Sequence, residues 1–211
     1  MEKNSVTVIG AGLAGSEAAY QLATAGFQIY LFEMRPLVQT GAHTTDFFAE
    51  LICSNSLGSN LPDRASGVLK NELRRLGSLL MNIADECELP AGGALAVDRD
   101  LFSEKVTRTL SSHPNIKIIR EEVKEIPSSP TIIASGPLTS TALSKSISEI
   151  TNSNNLFFYD AIAPIVNYES INLDIAFRAS RYQKDESDSG DYINCPFSKE
   201  EYDRFVFELT N

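Results

Sequence analysis

Six residues near the start of the sequence have the composition of a phosphate-binding turn. They are Gly10, Ala11, Gly12, Leu13, Ala14 and Gly15, in the pattern Gly-x-Gly-x-x-Gly. In such a turn Gly10 permits a tight bend, Gly12 lets the backbone approach a pyrophosphate, and Gly15 allows the helix to pack closely on the strand. Unpaired N–H groups at the start of the following helix then face the phosphates. The pattern predicts a dinucleotide site.

A carboxylate stands where the next predicted strand ends. Glu33 follows the apolar run 28–32, at the distance from the glycines where an acid accepts hydrogen bonds from ribose hydroxyls. Its charge would repel a 2′-phosphate, which favours FAD or NAD over NADP. A glycine-rich turn in a Rossmann-like fold without a ligand is the alternative interpretation.

The cysteines and histidines are few and far apart. Three cysteines form no disulfide framework, which favours a reducing cytoplasm, and we expect no metal site. Cys87 extends an apolar stripe and is expected to be buried. Cys195 is expected to be structural. From the residues alone, Cys53 reads as a half-buried cysteine at a helix end, under the loop 54–59.

The elements around the turn alternate between strand and helix. The β-branched run Ser5–Ile9 predicts a strand before the glycines, and residues 28–33 predict a second strand after a helix. The spacing predicts that this helix ends near Gly26. We expect its apolar face to contain Ala14, Ala18, Leu22 and Ala25.

The middle of the chain continues the alternation. One helix face is predicted for Leu69, Leu73, Leu76, Leu80, Ile83 and Cys87. Residues 90–93 read as a turn, and Asp100 is expected to cap a helix that buries Phe102, Val106 and Leu110. Strands are predicted at 116–119 and 131–134. The fold class is therefore α/β, a Rossmann-like, doubly wound and mainly parallel sheet.

The character of the sequence changes after residue 150. We predict a dinucleotide-binding domain over 1–150 and the start of a second, inserted domain over 151–211. Residues 156–166 read as an aromatic-rich strand region and residues 184–191 as an acidic loop. Ser198 and Glu201 have the spacing of a capping box, before a helix whose apolar face carries Tyr202, Phe205, Val206 and Leu209.

Length and charge exclude several classes of protein. The chain has 211 residues, 43% of them hydrophobic, which is too many for a disordered protein. No apolar run is long enough to predict a membrane span. The net charge of −10 argues against binding nucleic acid through bulk electrostatics, because phosphate neutralisation requires clustered Lys and Arg.

Five ordered blocks carry a resemblance that covers nearly the whole chain. They are residues 48–57 (FAELICSNSL), 90–99 (PAGGALAVDR), 131–139 (TIIASGPLT), 158–166 (FYDAIAPIV) and 192–196 (YINCP). Together they resemble the TrmFO family of folate- and FAD-dependent tRNA (uracil-5-)-methyltransferases, relatives of the GidA/MnmG flavoproteins. The resemblance implies methylation of the T-loop uridine of tRNA, with methylenetetrahydrofolate as carbon donor and NAD(P)H as the reductant of FAD.

The resemblance also implies roles for individual residues. The turn from Gly10 to Gly15 would hold the FAD pyrophosphate and Glu33 the adenosine ribose. The backbone of Val123 would meet the adenine, and Ser135 with Gly136 would form the strand end that passes the cofactor. Cys53 matches one of two family cysteines tied to catalysis, and we expect it to serve in acid/base chemistry or in support of the nucleophile.

Two positions depart from the family pattern. Thr44 stands where the family has a second histidine, and Gly58 stands where it has a basic residue. The family's second cysteine, and the segment that encloses the isoalloxazine ring, fall beyond Asn211. The sequence thus leaves three hypotheses: a part of a TrmFO-like enzyme, an FAD-binding remnant without catalysis, or another flavin- or NAD-dependent oxidoreductase.

Overall fold

The computed structural model describes residues 4–153, 166–180 and 190–210. Its strands are β1 (Ser5–Ile9), β2 (Gln28–Glu33), β3 (Ser56–Ser59), β4 (Glu88–Leu89), β5 (Ala94–Val97), β6 (Ile116–Arg120), β7 (Thr131–Ile133), β8 (Phe177–Ala179) and β9 (Tyr192–Asn194). Its α-helices are α1 (Leu13–Thr24), α2 (Ala65–Arg75), α3 (Leu79–Glu86), α4 (Arg99–Ser112), α5 (Thr141–Thr151) and α6 (Lys199–Thr210). Short 3₁₀ turns cover Gly136–Leu138 and Tyr168–Ser170.

A parallel sheet forms the centre of the fold, in the order β6-β2-β1-β7. Each neighbouring pair in it is parallel. The four predicted strands are thus confirmed, and so is the Rossmann-like α/β class. Parallel pairing aligns the carboxyl ends of the strands at one edge, which is where open α/β sheets bind ligands.

The face of α1 that packs on the sheet differs from the predicted face. The structure buries Gly15, Ser16, Ala19 and Ala23, whereas Ala14 and Ala25 are exposed and Ala18 and Leu22 are only half-buried. Small side chains on the inner face let the helix approach the sheet closely, so burial follows size here more than hydrophobicity. The predicted end of the helix near Gly26 is confirmed.

The predicted long helix over 69–87 is two helices. Gly77 adopts a φ of +75°, which ends α2, and the Ser78 hydroxyl accepts a hydrogen bond from Met81 N at 3.2 Å to start α3. Leu80, Ile83 and Cys87 are buried as expected, but Leu69 and Leu76 are exposed. The leucine spacing is continuous, but a glycine in the left-handed region interrupts the helix.

The next helix confirms its predicted core and corrects its cap. Phe102, Val106 and Leu110 of α4 are completely buried. The capping residue is Asp98, whose carboxylate accepts from Leu101 N at 3.0 Å. Asp100 lies in the first turn instead, where its charge still favours the helix N-terminus.

The chain divides into two compact units. The first contains Met1–Leu89 and Leu95–Ala163, and the second contains Pro90–Ala94 and Pro164–Asn211. Within the second unit β8 and β9 pair antiparallel, and Tyr192 Oη donates to Ala91 O at 2.9 Å. The predicted division at residue 150 stays a prediction.

The predicted capping box at the start of α6 is confirmed. Ser198 N donates to Glu201 Oε2 at 2.8 Å, and Glu201 N donates to Ser198 Oγ at 3.3 Å. The apolar face of α6 remains exposed. The expected strand region at 156–165 and the acidic loop at 184–189 lie outside the described residues. Among the residues the structure describes, no helix combines the length and apolar character needed to cross a bilayer.

Candidate functional site

A cavity of about 250 Å³ lies at the carboxyl ends of β1, β2 and β7, within the first unit. Of the residues predicted to hold a cofactor, Gly10, Gly12, Leu13, Ala14, Glu33, Val123, Ser135 and Gly136 line it. Ala11 and Gly15 are buried next to this wall and do not line it. The fold therefore brings together predicted residues that are far apart in the chain.

The glycine turn presents open backbone to this cavity. Gly12 lines the cavity, and a Cβ placed on it would meet no atom of the protein within 4 Å beyond its neighbours in the chain. A Cβ at Gly15, in contrast, would overlap the carbonyl oxygen of Gly10. One glycine thus leaves space for a ligand, and the other leaves space for the protein's own backbone.

The start of α1 has the properties of an anion site. Gly12 is its N-cap residue and offers no side-chain acceptor, and no acidic residue occupies the first turn. The first N–H groups of a helix have no partner within the helix, and the helix dipole makes this end positive. This end of the cavity can therefore accept a phosphate group.

Glu33 is buried at the end of β2 and is held by several donors. Its Oε1 accepts from Arg35 N at 3.1 Å and from Arg35 Nε at 3.0 Å. Its Oε2 accepts from Ala11 N at 3.1 Å. Burial alone would raise the pKa of this carboxyl, but the hydrogen bonds and the charge of Arg35 outweigh burial and lower the pKa. Glu33 is thus an ionised acceptor in the cavity wall.

Arg35 is a buried member of the site that the sequence reasoning missed. Only 2% of its surface is exposed. Besides Glu33, its Nη1 donates to Glu50 Oε2 at 3.0 Å and to Thr45 O at 3.1 Å, and its Nη2 donates to Phe47 O at 3.1 Å. An arginine two residues after the predicted ribose acid was a usable signal for the first pairing. No local pattern links it to residues 45–50.

Glu50 also lines the cavity and was missed. It accepts hydrogen bonds from the backbone and hydroxyl groups of Thr44 and Thr45, between 2.8 and 3.2 Å. Burial would raise its pKa, but these hydrogen bonds, led by that of Thr44 N, lower it. Thr44, one of the two departures from the family pattern, therefore has a structural role here as a donor to Glu50.

His43 and Thr40 are further cavity residues that were missed. The His43 Nδ1 atom lies 2.6 Å from Thr40 Oγ1. Their segment, 40–43, contains no regular element from which a position could have been predicted. Proximity to the cavity is a property of the tertiary structure alone.

Gly58, the second departure, does not line the cavity. It has a φ of +81°, and a Cβ placed there would lie 3.9 Å from Lys70 Nζ. Lys70 is buried and donates to Ser59 O at 3.0 Å and Ser66 Oγ at 2.7 Å. Burial and the nearby charge of Arg74 lower its pKa. A lysine from α2 thus brings a positive group beside Gly58.

Cys53 is not among the residues that line the cavity. Cys53 is exposed and lies in an irregular segment, so the expectation of a half-buried helix end is wrong. Ile52, its neighbour in the chain, does line the cavity. Cys195 is exposed as well, whereas Cys87 is buried and burial raises the pKa of its thiol.

Comparison with known proteins gives consistent matches over the chain. The family model described as "Glucose inhibited division protein A" matches residues 5–211. The methylenetetrahydrofolate–tRNA-(uracil-5-)-methyltransferase TrmFO of Bacillus subtilis is 56% identical over 211 residues, which are all of this chain and 48% of that protein. The enzyme of the same name from Anoxybacillus flavithermus is 58% identical over 204 residues, 97% of this chain and 46% of its own length.

The chain spans about half the length of the curated relatives it matches. Among solved structures, Aquifex aeolicus GidA aligns with 60% of this chain and 21% of its own, at 22% identity and a TM-score of 0.47.

Proposed function

Because the chain belongs to the GidA family, we propose that it forms the FAD-binding part of a flavoprotein that methylates carbon 5 of a tRNA uridine. The observation that carries this proposal is its 56% identity, over its whole length, to a relative named as a methylenetetrahydrofolate–tRNA-(uracil-5-)-methyltransferase. The cavity at the end of the parallel sheet supports it, because that cavity combines an anion site with a carboxylate acceptor.

We assign the adenosine diphosphate half of FAD to this cavity. The N–H groups at the start of α1 would bind the pyrophosphate, and the open side of Gly12 leaves room for its approach. Glu33 Oε2 would accept a hydrogen bond from a ribose hydroxyl, since Ala11 N is its one protein donor among the described residues. The backbone at Val123 would meet the adenine, and Ser135 and Gly136 would flank the rest of the cofactor.

The finer parts of the reaction belong to the same proposal. When bound, FAD would supply the electrons that convert a methylene group from methylenetetrahydrofolate into a methyl group. We propose NAD(P)H as the source of those electrons, the uridine of the tRNA T-loop as the acceptor and the cytoplasm as the location. No metal is required by this scheme.

In this proposal Cys53 would take part in the chemistry on the uracil ring. Carbon 5 of uracil becomes nucleophilic only after a thiolate adds at carbon 6, and a base must later remove the proton from carbon 5. A positioned general base is typically worth about 10²–10⁴ in rate. The exposed thiol of Cys53, which follows the cavity residue Ile52, is our candidate for the acid/base or supporting role.

The test is methyl transfer from labelled methylenetetrahydrofolate to a T-loop RNA. The chain is assayed alone and as a chimera in which it replaces the 211 aligned residues of the Bacillus subtilis relative. We expect the chimera to bind FAD and to label the RNA only when NADPH is present. A chimera that oxidises NADPH without labelling RNA would favour another oxidoreductase. FAD binding with neither activity would favour a binding remnant.

A further inference from the structure

We propose that Arg35 is a positioning residue that fixes the ribose acceptor and the cysteine-bearing segment with one buried guanidinium. By the cysteine segment we mean residues 45–53, which lead from the contacts of Arg35 to Cys53. The inference rests on the proposed function for the identity of the ribose acceptor, Glu33. It adds a structural connection between the residue assigned to the adenosine ribose and the segment that carries the exposed thiol of Cys53.

The two sides of the guanidinium serve two different parts of the site. On one side Nε donates to Glu33 Oε1 at 3.0 Å, and the backbone N of Arg35 donates to the same oxygen. These bonds occupy Oε1 and leave Oε2 for Ala11 N and for a ligand. Arg35 therefore determines which carboxylate oxygen of Glu33 is available to the cavity.

On the other side, Arg35 holds the cysteine segment at three points. Its Nη atoms donate to Thr45 O, Phe47 O and Glu50 Oε2 at 3.0 to 3.1 Å. A guanidinium has five N–H donors in a planar fork, whereas lysine has three on one atom, so lysine cannot reproduce this set. The carbonyl of Arg35 adds to the link, because it accepts from Arg120 Nη1, and the Arg120 guanidinium lies 4.4 Å from the ring centroid of Phe48.

The cysteine segment is strained where it touches the glycine turn. Ala49 has a φ of +51°, a left-handed conformation that is uncommon for a residue with a Cβ. Ala49 N donates to Ala11 O at 2.8 Å, while Ala11 N donates to Glu33. Such strain persists only when surrounding contacts impose it. The contacts of Arg35 with Phe47 and Glu50 help to meet that requirement, together with the hydrogen bond from Phe48 N to Thr107 Oγ1 at 2.7 Å.

The three cysteines allow each part of the inference to be measured in one protein. Alkylation of each thiol is followed by mass spectrometry: Cys53 reports the cysteine segment, exposed Cys195 is an internal reference in the second unit, and buried Cys87 reports unfolding. The state of Glu33 is measured as the preference of the chain for ADP over 2′,3′-dideoxy-ADP, which lacks the ribose hydroxyls.

In Arg35→Lys we expect both readouts to change. The preference for ADP should fall by about tenfold, the value for one hydrogen bond to a charged group. The alkylation rate of Cys53 should change severalfold, because its segment leaves the path that the Arg35 contacts impose, with Cys195 unchanged and Cys87 unreactive. Glu50→Ala removes one of the three contacts between Arg35 and the cysteine segment and should also change the Cys53 rate. Arg74→Lys is the matched control, since Arg74 pairs with Asp85 away from the cavity and should change neither readout.

The proposal is overturned if Cys53 reacts at the wild-type rate in Arg35→Lys, or if the nucleotide preference is retained there. If Arg35→Lys exposes Cys87 by unfolding, Glu50→Ala decides, and an unchanged Cys53 rate in that variant also overturns the proposal. A wild-type chain that binds neither FAD nor ADP would refute the proposed cofactor site instead. The Cys53 rates of the unliganded variants would still test the link between Arg35 and the cysteine segment.

Discussion

At the scale of single residues, the site is organised around the carboxylate of Glu33. Sequence patterns indicate a ribose acceptor at this position, but the structure shows that protein donors already occupy Oε1. One oxygen, Oε2, remains for a ligand, next to the backbone of the glycine turn. A buried carboxylate with this few free lone pairs is selective for a hydroxyl donor and unfavourable for an added phosphate.

Gly12→Val should abolish FAD binding while the protein stays folded. In the unliganded chain the new side chain would point into open space, so we expect the free energy of unfolding to fall only by the cost of a poorer N-cap residue, about 1 kcal/mol. In the complex it would fill the position that the pyrophosphate needs. Flavin absorbance after gel filtration, with urea denaturation in parallel, measures both effects.

The matched control for this substitution is Gly41→Val. A Cβ at Gly41 would also meet no protein atom within 4 Å, and Gly41 does not line the cavity. This variant should retain FAD. Stoichiometric flavin in Gly12→Val would contradict the assignment of the turn to the pyrophosphate.

Glu33 and Glu50, which both form ion pairs with Arg35, predict that the protein loses stability in acid. The pKa of Glu33 is lowered from its ordinary value of 4.5 in the folded state, so its contribution is fully present above pH 4.5 and is lost as pH falls through the lowered folded pKa. The pKa of Glu50 is lowered as well, so its contribution to stability is also lost in acid. The free energy of unfolding, measured in urea at constant ionic strength, should therefore decline below pH 4.5. In Glu33→Gln the decline should be smaller, because glutamine does not titrate.

An exposed glutamate on α4 provides the comparison. Glu104→Gln, outside the site, should leave the acid dependence as in the wild type. An equal decline in Glu33→Gln and in the wild type would mean that the buried pair does not govern acid stability.

At the scale of elements, α3 is joined to α1 by hydrogen bonds at its N-terminal cap as well as by apolar packing. Ser78 starts α3 and also donates to Glu17 Oε2 on α1 at 2.9 Å. The Glu17 carboxylate additionally accepts from Leu79 N and Leu80 N, at 3.1 and 3.0 Å. The first turn of α3 is therefore attached directly to the helix whose N-terminus faces the cavity.

Ser78→Ala should lower the free energy of unfolding by about 1 kcal/mol, the usual cost of removing an N-cap. The physical reason is that Met81 N loses its acceptor and the Glu17 carboxylate loses the donor that the buried Ser78 hydroxyl supplies. Ser111→Ala, an exposed position in α4, is the control and should change stability little. Equal urea midpoints for the two variants would show that α3 does not depend on this cap.

At the scale of the whole molecule, the charge of the chain favours the proposed cofactor site over a surface that binds nucleic acid. The net charge is −10, and the cavity wall contains Glu33, Glu50, Glu121 and Glu122. The anion site rests on backbone N–H groups and a helix dipole, which act at short range and do not attract a polyanion from a distance. The proposed binding of FAD and of tRNA would therefore place different electrostatic demands on the protein.

This charge predicts weak binding of tRNA by the 211-residue chain itself. Non-specific complexes with a Kd of about 10⁻⁴–10⁻⁶ M depend on Lys and Arg contacts to phosphates, and we expect weaker binding than that here. Filter binding of a T-arm RNA over a series of salt concentrations measures it. A micromolar Kd that weakens steeply with salt would contradict the prediction and point to a basic surface on this chain.

Local sequence patterns were sufficient to predict the parallel sheet, the glycine turn and the acid at the end of β2. β-branched runs, glycines at fixed spacing and a carboxylate at a strand end are all readable within about 30 residues, the length of one βαβ unit. The capping box before α6 is of the same kind. The break at Gly77 was also within reach of local reasoning, but the leucine spacing outweighed it.

The way in which the site is held together follows from the tertiary structure alone. Arg35 joins Glu33 to Glu50, and Ala49 N bonds Ala11 O, because the fold brings an irregular segment back over the glycine turn. Such a segment has no periodicity from which its path can be predicted. Which oxygen of Glu33 keeps a free acceptor position, and why Cys53 is not among the residues that line the cavity, depend on these long-range contacts, because the path of the returning backbone sets both.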